Sequence, residues 1–325
     1  KAEYYAQRAG AGLIIAEATG ITQEGSGWPS APGIWLPEHV EAWKPVTDAV
    51  HDAGGKIVLQ LWHMGRLVHP DFLGGAAPVS SSATTAPGFA HVPGEKKPYE
   101  QARALRLDEI PRVIGDYAHA AKNAMAAGFD GVQLHGANGY LIDQFLRNNS
   151  NFRDDDYGGP IENRIRLLRE VTQALADTVG ADRTSVRLSP NGETQGADDS
   201  NPVPLFTAAA AALQEIGIGF LELREQKTYG TFGTSEVPRI SPDIRKVFKA
   251  PLILNQEYTL ETARADLESG LADAISFGRK FISNPDLPER LASGAELTPD
   301  NFRTWYSPGP EGYTDYPKLG ALVDA

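Results

Sequence analysis

With 325 residues, 41% of them apolar, the chain is long enough for one large core, and its formal net charge of −12 argues against a protein that grips a phosphate backbone. It contains no cysteine, which excludes disulfides, thiolate metal sites, iron–sulfur clusters and thiol nucleophiles. No apolar run approaches the roughly 18 residues of a membrane span, and no charged segment followed by an apolar one opens the chain, so the expectation is a soluble, cytoplasmic protein with no membrane or nucleic-acid partner.

The chain begins in a helical pattern over residues 1–9, with Ala2, Tyr5, Ala6 and Ala9 on one side. Short apolar runs follow at 12–18, 56–62, 129–135, 184–189, 220–224, 251–255 and 273–278. Most lack polar alternation, as parallel strands covered on both faces do. Helical stripes lie between them: Leu107, Ile110, Val113, Tyr117, Ala121 and Met125, closed by Gly128, and then Ile161, Ile165, Leu168, Val171 and Leu175, closed by Gly180. Ser241-Pro242 predicts a third helix start, with Ser241 as its cap. Repeated βα alternation without a composition break predicts one α/β domain over residues 1–325.

The seven runs, preceded by a helix, suit a (β/α)₈ TIM barrel whose first strand lies before residue 1; a seven-stranded, half-open sheet is the alternative. Two connections are long, 63–106 after the third strand and 136–160 after the fourth, and loops of this length are often lids or binding loops. Asp154, Asp155 and Asp156 read as a solvated acidic turn, and His63 and His69 are spaced too loosely for a helical zinc pair, so no metal is expected.

The most informative stretch is Gln133-Leu-His135-Gly-Ala-Asn138-Gly-Tyr140, at the end of a buried strand. It offers two neutral hydrogen-bonding side chains and a phenol, equipment for polarising a carbonyl and supplying a proton, and strand C-terminal ends are where parallel barrels do chemistry. Other strand ends carry Gln60-Leu-Trp62-His63, Arg187-Leu-Ser-Pro190 and Phe277-Gly278-Arg279. An inward Gln, an Arg and a Gly-Arg pair at the last strand suggest an aromatic, electron-rich, phosphorylated ligand. Singly each is ambiguous, since Arg187 could be a core ion pair and Gly278-Arg279 an ordinary strand exit.

Together these segments resemble the old yellow enzyme family of FMN-dependent ene-reductases. Also carrying the resemblance are Ala2-Glu-Tyr-Tyr-Ala-Gln-Arg-Ala9, Glu17-Ala-Thr19, Asn163-Arg164, Asn284-Pro-Asp-Leu287 and Gly312-Tyr-Thr-Asp-Tyr-Pro317. Trp62 after Gln60-Leu61 is similar to the branch that has tryptophan there, not the thermophilic branch, which has a small residue. The resemblance implies non-covalent FMN, NADPH or NADH as electron donor, and small-molecule alkenes activated by a carbonyl or nitro group as substrates, in a monomer or homodimer. Ala18 and Gln60 would meet the isoalloxazine edge, Arg187 would lie by its N1–C2 side, and Gly278 and Arg279 would hold the phosphate. His135 and Asn138 would donate to the substrate oxygen, Tyr140 would protonate the α-carbon, and Trp28, Trp62 and Tyr306 would shape an aromatic pocket. A phenol suits that role because its ordinary pKa near 10 keeps it protonated at neutral pH. Family members also carry a flavin-touching first strand that this sequence lacks, which keeps open a barrel that binds flavin poorly. A flavin-free lyase or isomerase with Lys280 as a Schiff-base residue is the other alternative.

Overall fold

A computed structural model describes residues 1–230, 233–305 and 308–320. Its strands are β1 (Ile14–Ile15), β2 (Thr19–Gly20), β3 (Ile57–Trp62), β4 (Val79–Ser80), β5 (Phe89–Val92), β6 (Glu95–Pro98), β7 (Arg103–Ala104), β8 (Gly131–His135), β9 (Thr184–Leu188), β10 (Phe220–Arg224), β11 (Leu252–Asn255) and β12 (Ala274–Ser276). All seven apolar runs join one parallel sheet, in the order β1-β3-β8-β9-β10-β11-β12, with β2 also on β3. β1 and β2 are thus two pieces of one strand position. Among the described residues the sheet ends at β1 on one side and β12 on the other.

The first run is broken for a local reason. The Tyr5 hydroxyl accepts the Glu17 N–H at 3.0 Å, and the Thr19 hydroxyl donates to the Glu17 carbonyl at 2.9 Å. Side chains therefore take backbone groups that a continuous ladder would use. The remaining parallel neighbours are joined by helix-bearing crossovers, as parallel pairing requires: Pro37–Asp52, Ile110–Ala126, Arg166–Val179, Pro202–Ile216, Ser241–Val247 and Leu260–Glu268.

The helix Ile110–Ala126 buries Ile110, Val113, Tyr117, Ala120, Ala121 and Ala124 on the sheet side. Gly128 ends its pattern at φ +89, where an added Cβ would also come within 2.8 Å of the Thr47 hydroxyl. Leu107 lies in a separate 3₁₀ turn, Leu107–Glu109, and is exposed. The stripe beginning at Ile161 is likewise divided, into Ile161–Arg164 and Arg166–Val179. Ser241 is not the cap of its helix: Glu225 Oε1 accepts the N–H groups of Ile240 and Ser241 at 2.6 and 2.9 Å. A buried carboxylate from the end of β10 satisfies the orphan donors more strongly than a neighbouring hydroxyl could.

In the segment 63–106, β4 pairs with β7 and β5 with β6 in an antiparallel hairpin. In the acidic turn, Asp155 accepts two guanidinium bonds from Arg153, at 3.0 and 2.6 Å. Arg153 also donates to the carbonyls of Ser81 and Leu105, which fastens the two long connections to each other. Among the described residues, no helix is long and apolar enough to cross a membrane.

Candidate active site

A belt of polar side chains crosses the sheet toward its C-terminal end. Gln60 of β3 donates to Gln133 of β8 at 2.6 Å, and Gln133 donates to Glu222 of β10 at 3.1 Å. Arg187 of β9 pairs with Glu222 at 2.5 Å and donates to Asn255 of β11 at 2.9 Å, while Ser276 of β12 donates to Glu222 at 2.6 Å. Gln133 and Glu222 are buried, and each finds partners there, as buried polar groups must. Period-two alternation, Gln60↔Gln133 and Arg187↔Glu222 in register, puts these side chains on one face.

Two cavities, of about 820 and about 970 Å³, meet at this belt and share Arg187, Asn255 and Gly278 in their walls. Ala18 and Gln60 line the first with apolar Ile253, Ile275 and Phe277. Asn138, Tyr140, Arg224, Arg279 and Lys280 line the second. Gly278 precedes the short helix Arg279–Ser283, and Arg279 is ion-paired with Glu257. Lys280 donates its ammonium to the Tyr258 carbonyl at 2.5 Å.

The loop after β8 is pinned at nearly every backbone donor. Gly136 N–H goes to the Arg187 carbonyl, Asn138 N–H to Ser189 Oγ, Gly139 N–H to Asp143 Oδ2 and Leu141 N–H to the His63 carbonyl, all between 2.8 and 3.1 Å. Asn138 and Gly139 are both left-handed, at φ 58 and 76. An added Cβ on Gly139 would lie 2.5 Å from the Thr194 carbonyl, so close approach as well as φ requires glycine. The turn delivers Tyr140 to the start of the helix Leu141–Leu146. Asp143, buried and paired with buried Arg147 at 2.8 Å, anchors that helix under the loop.

His135 is 4% exposed and its Nδ1 accepts the Ala137 N–H at 3.3 Å. Burial first, then the charges of Arg187 and Arg224, pushes its pKa down to about 3, so the ring is neutral. With Nδ1 an acceptor, the proton sits on Nε2, which can donate. The ring stands edge-on to Tyr140, centroids 4.9 Å apart, and Tyr140 stands edge-on to buried Trp62 at 5.1 Å.

His135, Trp62 and Tyr140 are thus brought together, with Asn138, Arg187, Gly278 and Arg279 around the adjoining space. Trp28 is not: it is exposed and packs on His91 of the β5–β6 hairpin, whereas of the four rings of His135, Trp62, Tyr140 and Trp28 only Tyr140 lines a cavity wall. Tyr306 lies outside the described residues. Glu222 and Arg224 are the functional candidates that sequence reasoning missed. Their signal was the alternation Leu221-Glu222-Leu223-Arg224, which sets two charged side chains on one face of a buried strand.

Comparison with known proteins agrees with this architecture. Residues 1–298 match the NADH:flavin oxidoreductase / NADH oxidase family. A putative 12-oxophytodienoate reductase 11 of Oryza sativa subsp. japonica is 44% identical over 324 residues, covering 98% of this chain and 88% of the relative. The structure of an old yellow enzyme homologue from Zymomonas mobilis is 62% identical with a TM-score of 0.96, covering 98% of this chain and 89% of that one. Morphinone reductase in complex with tetrahydroNAD is 42% identical with a TM-score of 0.93, covering 100% and 89%. Such neighbours identify the curved parallel sheet as that of a TIM barrel.

Proposed function

The chain belongs to the NADH:flavin oxidoreductase / NADH oxidase family, with FMN as its cofactor, and on that premise we propose that it reduces activated C=C bonds of α,β-unsaturated carbonyl or nitro compounds, with NADH or NADPH as electron donor. The observation that carries this reading is the loop after β8, where a neutral His135 ring packs edge-on to Tyr140, and Tyr140 and Asn138 line a large cavity.

The residues present fit FMN. A planar, apolar ring system with a polar edge matches a cavity walled by Ile253, Ile275 and Phe277 and edged by Gln60 and Arg187. A phosphate matches the cationic end at Arg279 and Lys280. Gln60, Arg187 and Ala18 would hold the ring, and Gly278 and Arg279 the phosphate. When bound, FMN supplies the hydride that it takes from the nicotinamide.

The chain's own residues then do three things. His135 Nε2–H and the Asn138 amide bind the carbonyl or nitro oxygen and draw electron density from the alkene, so that hydride adds at the β-carbon. Tyr140 gives its hydroxyl proton to the α-carbon, because the neutral imidazole holds its Nε2 proton too tightly to act as the acid. Trp62 backs the Tyr140 ring.

The test is reconstitution with excess FMN and desalting, then anaerobic addition of NADH or NADPH followed by 2-cyclohexenone. The reading predicts retained flavin that bleaches with the nicotinamide and recovers its colour with the enone. Protein that keeps FMN but is not reoxidised by any enone or nitroalkene would refute it.

A further inference from the structure

We propose that Arg224 is a positioning residue for this reaction: its guanidinium fixes the Asn138 amide with the NH₂ group toward the substrate oxygen and strengthens that group as a donor. This rests on the reading that a substrate oxygen binds at His135 and Asn138.

Arg224 is the last residue of β10 and is buried. Its Nη1 lies 3.1 Å from Asn138 Oδ1 and 3.3 Å from the Thr194 hydroxyl. A guanidinium has five donors and no acceptor, so the atom of Asn138 that faces it must be the oxygen. The amide nitrogen therefore points the other way. Asn138's backbone is fixed independently, its N–H by Ser189 Oγ at 2.8 Å and its carbonyl by Gln195 Nε2 at 2.7 Å. With φ at 58 as well, only side-chain rotation remains, and Arg224 removes it.

The pairing has a chemical consequence. The guanidinium–amide bond is charge-assisted and about twice as strong as a neutral one, and a positive charge bonded to the amide oxygen draws electron density from the amide nitrogen, strengthening its N–H groups as donors by roughly 10–30%. The same charge disfavours protonation of His135. Both oxygen-binding donors are thereby held in one defined state, a neutral Nε2–H and an outward amide NH₂. Gln226 supports the arrangement by donating to Thr194 Oγ1 at 2.9 Å.

The experiment is a double-mutant cycle on FMN-loaded protein: Arg224→Met and Arg224→Lys, each alone and combined with Asn138→Ala. The readout is the dissociation constant of para-chlorophenol, followed by its perturbation of the flavin visible spectrum, with FMN affinity and melting temperature measured alongside. Arg224→Met should weaken phenol binding about tenfold, Arg224→Lys should recover most of it, and in the Asn138→Ala background the Arg224 change should have little further effect. Unchanged binding in Arg224→Met, or the same loss with and without Asn138, overturns the proposal. Where Arg224→Met does not retain FMN, Arg224→Gln is judged by the same cycle. Parental protein that holds FMN but binds no phenol overturns the underlying site reading as well, whereas failure confined to the cycle overturns the role of Arg224 alone.

Discussion

Replacing His135 or Asn138 by alanine takes away one of the two donors aimed at the substrate oxygen, and the loss should fall on one half of the catalytic cycle. Removing a single such donor costs roughly 10²–10³ in rate. The structure places His135 at the low end and Asn138 below it. His135 is neutral, its pKa held at about 3 by burial and by Arg187 and Arg224, so it lacks the added strength of a charged donor. Being buried, it still acts away from bulk water, and about 100-fold, or ~2.7 kcal/mol, is the expected loss for His135→Ala. Asn138 is half-buried and competes more with solvent, so Asn138→Ala should cost about 30-fold. Anaerobic stopped-flow mixing separates flavin reduction by the nicotinamide from reoxidation by 2-cyclohexenone. Reoxidation should slow by at least about tenfold more than reduction in both variants. Equal slowing of the two half-reactions would show that these residues position the flavin and not the alkene.

Tyr140→Phe keeps the ring that packs on Trp62 and His135 but deletes its proton, so flavin reduction should persist while enone reduction falls sharply; quinones, which need no carbon protonation, should be spared, and parental enone rates would return Tyr140 to an aromatic wall. His135 also sets a pH dependence of stability. The unfolded imidazole binds a proton below about 6.5 while the folded one stays neutral to about 3, so its contribution is full above the unfolded value and lost as pH falls through that window. Urea midpoints of flavin-free protein should therefore drop between pH 6.5 and 4, and drop less in His135→Asn; identical slopes would contradict a neutral buried ring. Asp143→Ala should cost about 3 kcal/mol in urea unfolding, since it removes the near carboxylate of buried Arg147, leaving Asp198 at 3.7 Å, and the acceptor of the Gly139 N–H; a loss below about 1 kcal/mol would mean the loop is held by its other bonds.

Much of this arrangement was legible in the sequence because parallel strands announce themselves as apolar runs and barrel chemistry gathers at their ends. His135, Arg187 and Gly278 were located that way. What escaped was side-chain partnership across strands, which depends on register. Glu222 and Arg224 sit in a run that reads as apolar, and only its pairing with β9 and β11 brings one to Arg187 and the other toward Asn138. Arg187 is both things that its sequence position allowed, an ion-pair partner and a cavity-lining cation. Ser241 misled because a local cap signal competes poorly with a carboxylate delivered from a distant strand end. The placement of Trp28 against His91 of the β5–β6 hairpin follows from loop packing that no periodicity encodes.

The most direct test of ene-reduction at this site is isotopic. FMN-loaded protein, given nicotinamide deuterated at the transferable position and 2-cyclohexenone in ordinary water, should yield cyclohexanone with deuterium at the β-carbon. With unlabelled nicotinamide in D₂O, deuterium should appear at the α-carbon. Cyclohexenol as product, or donor deuterium at the carbonyl carbon, would contradict the account.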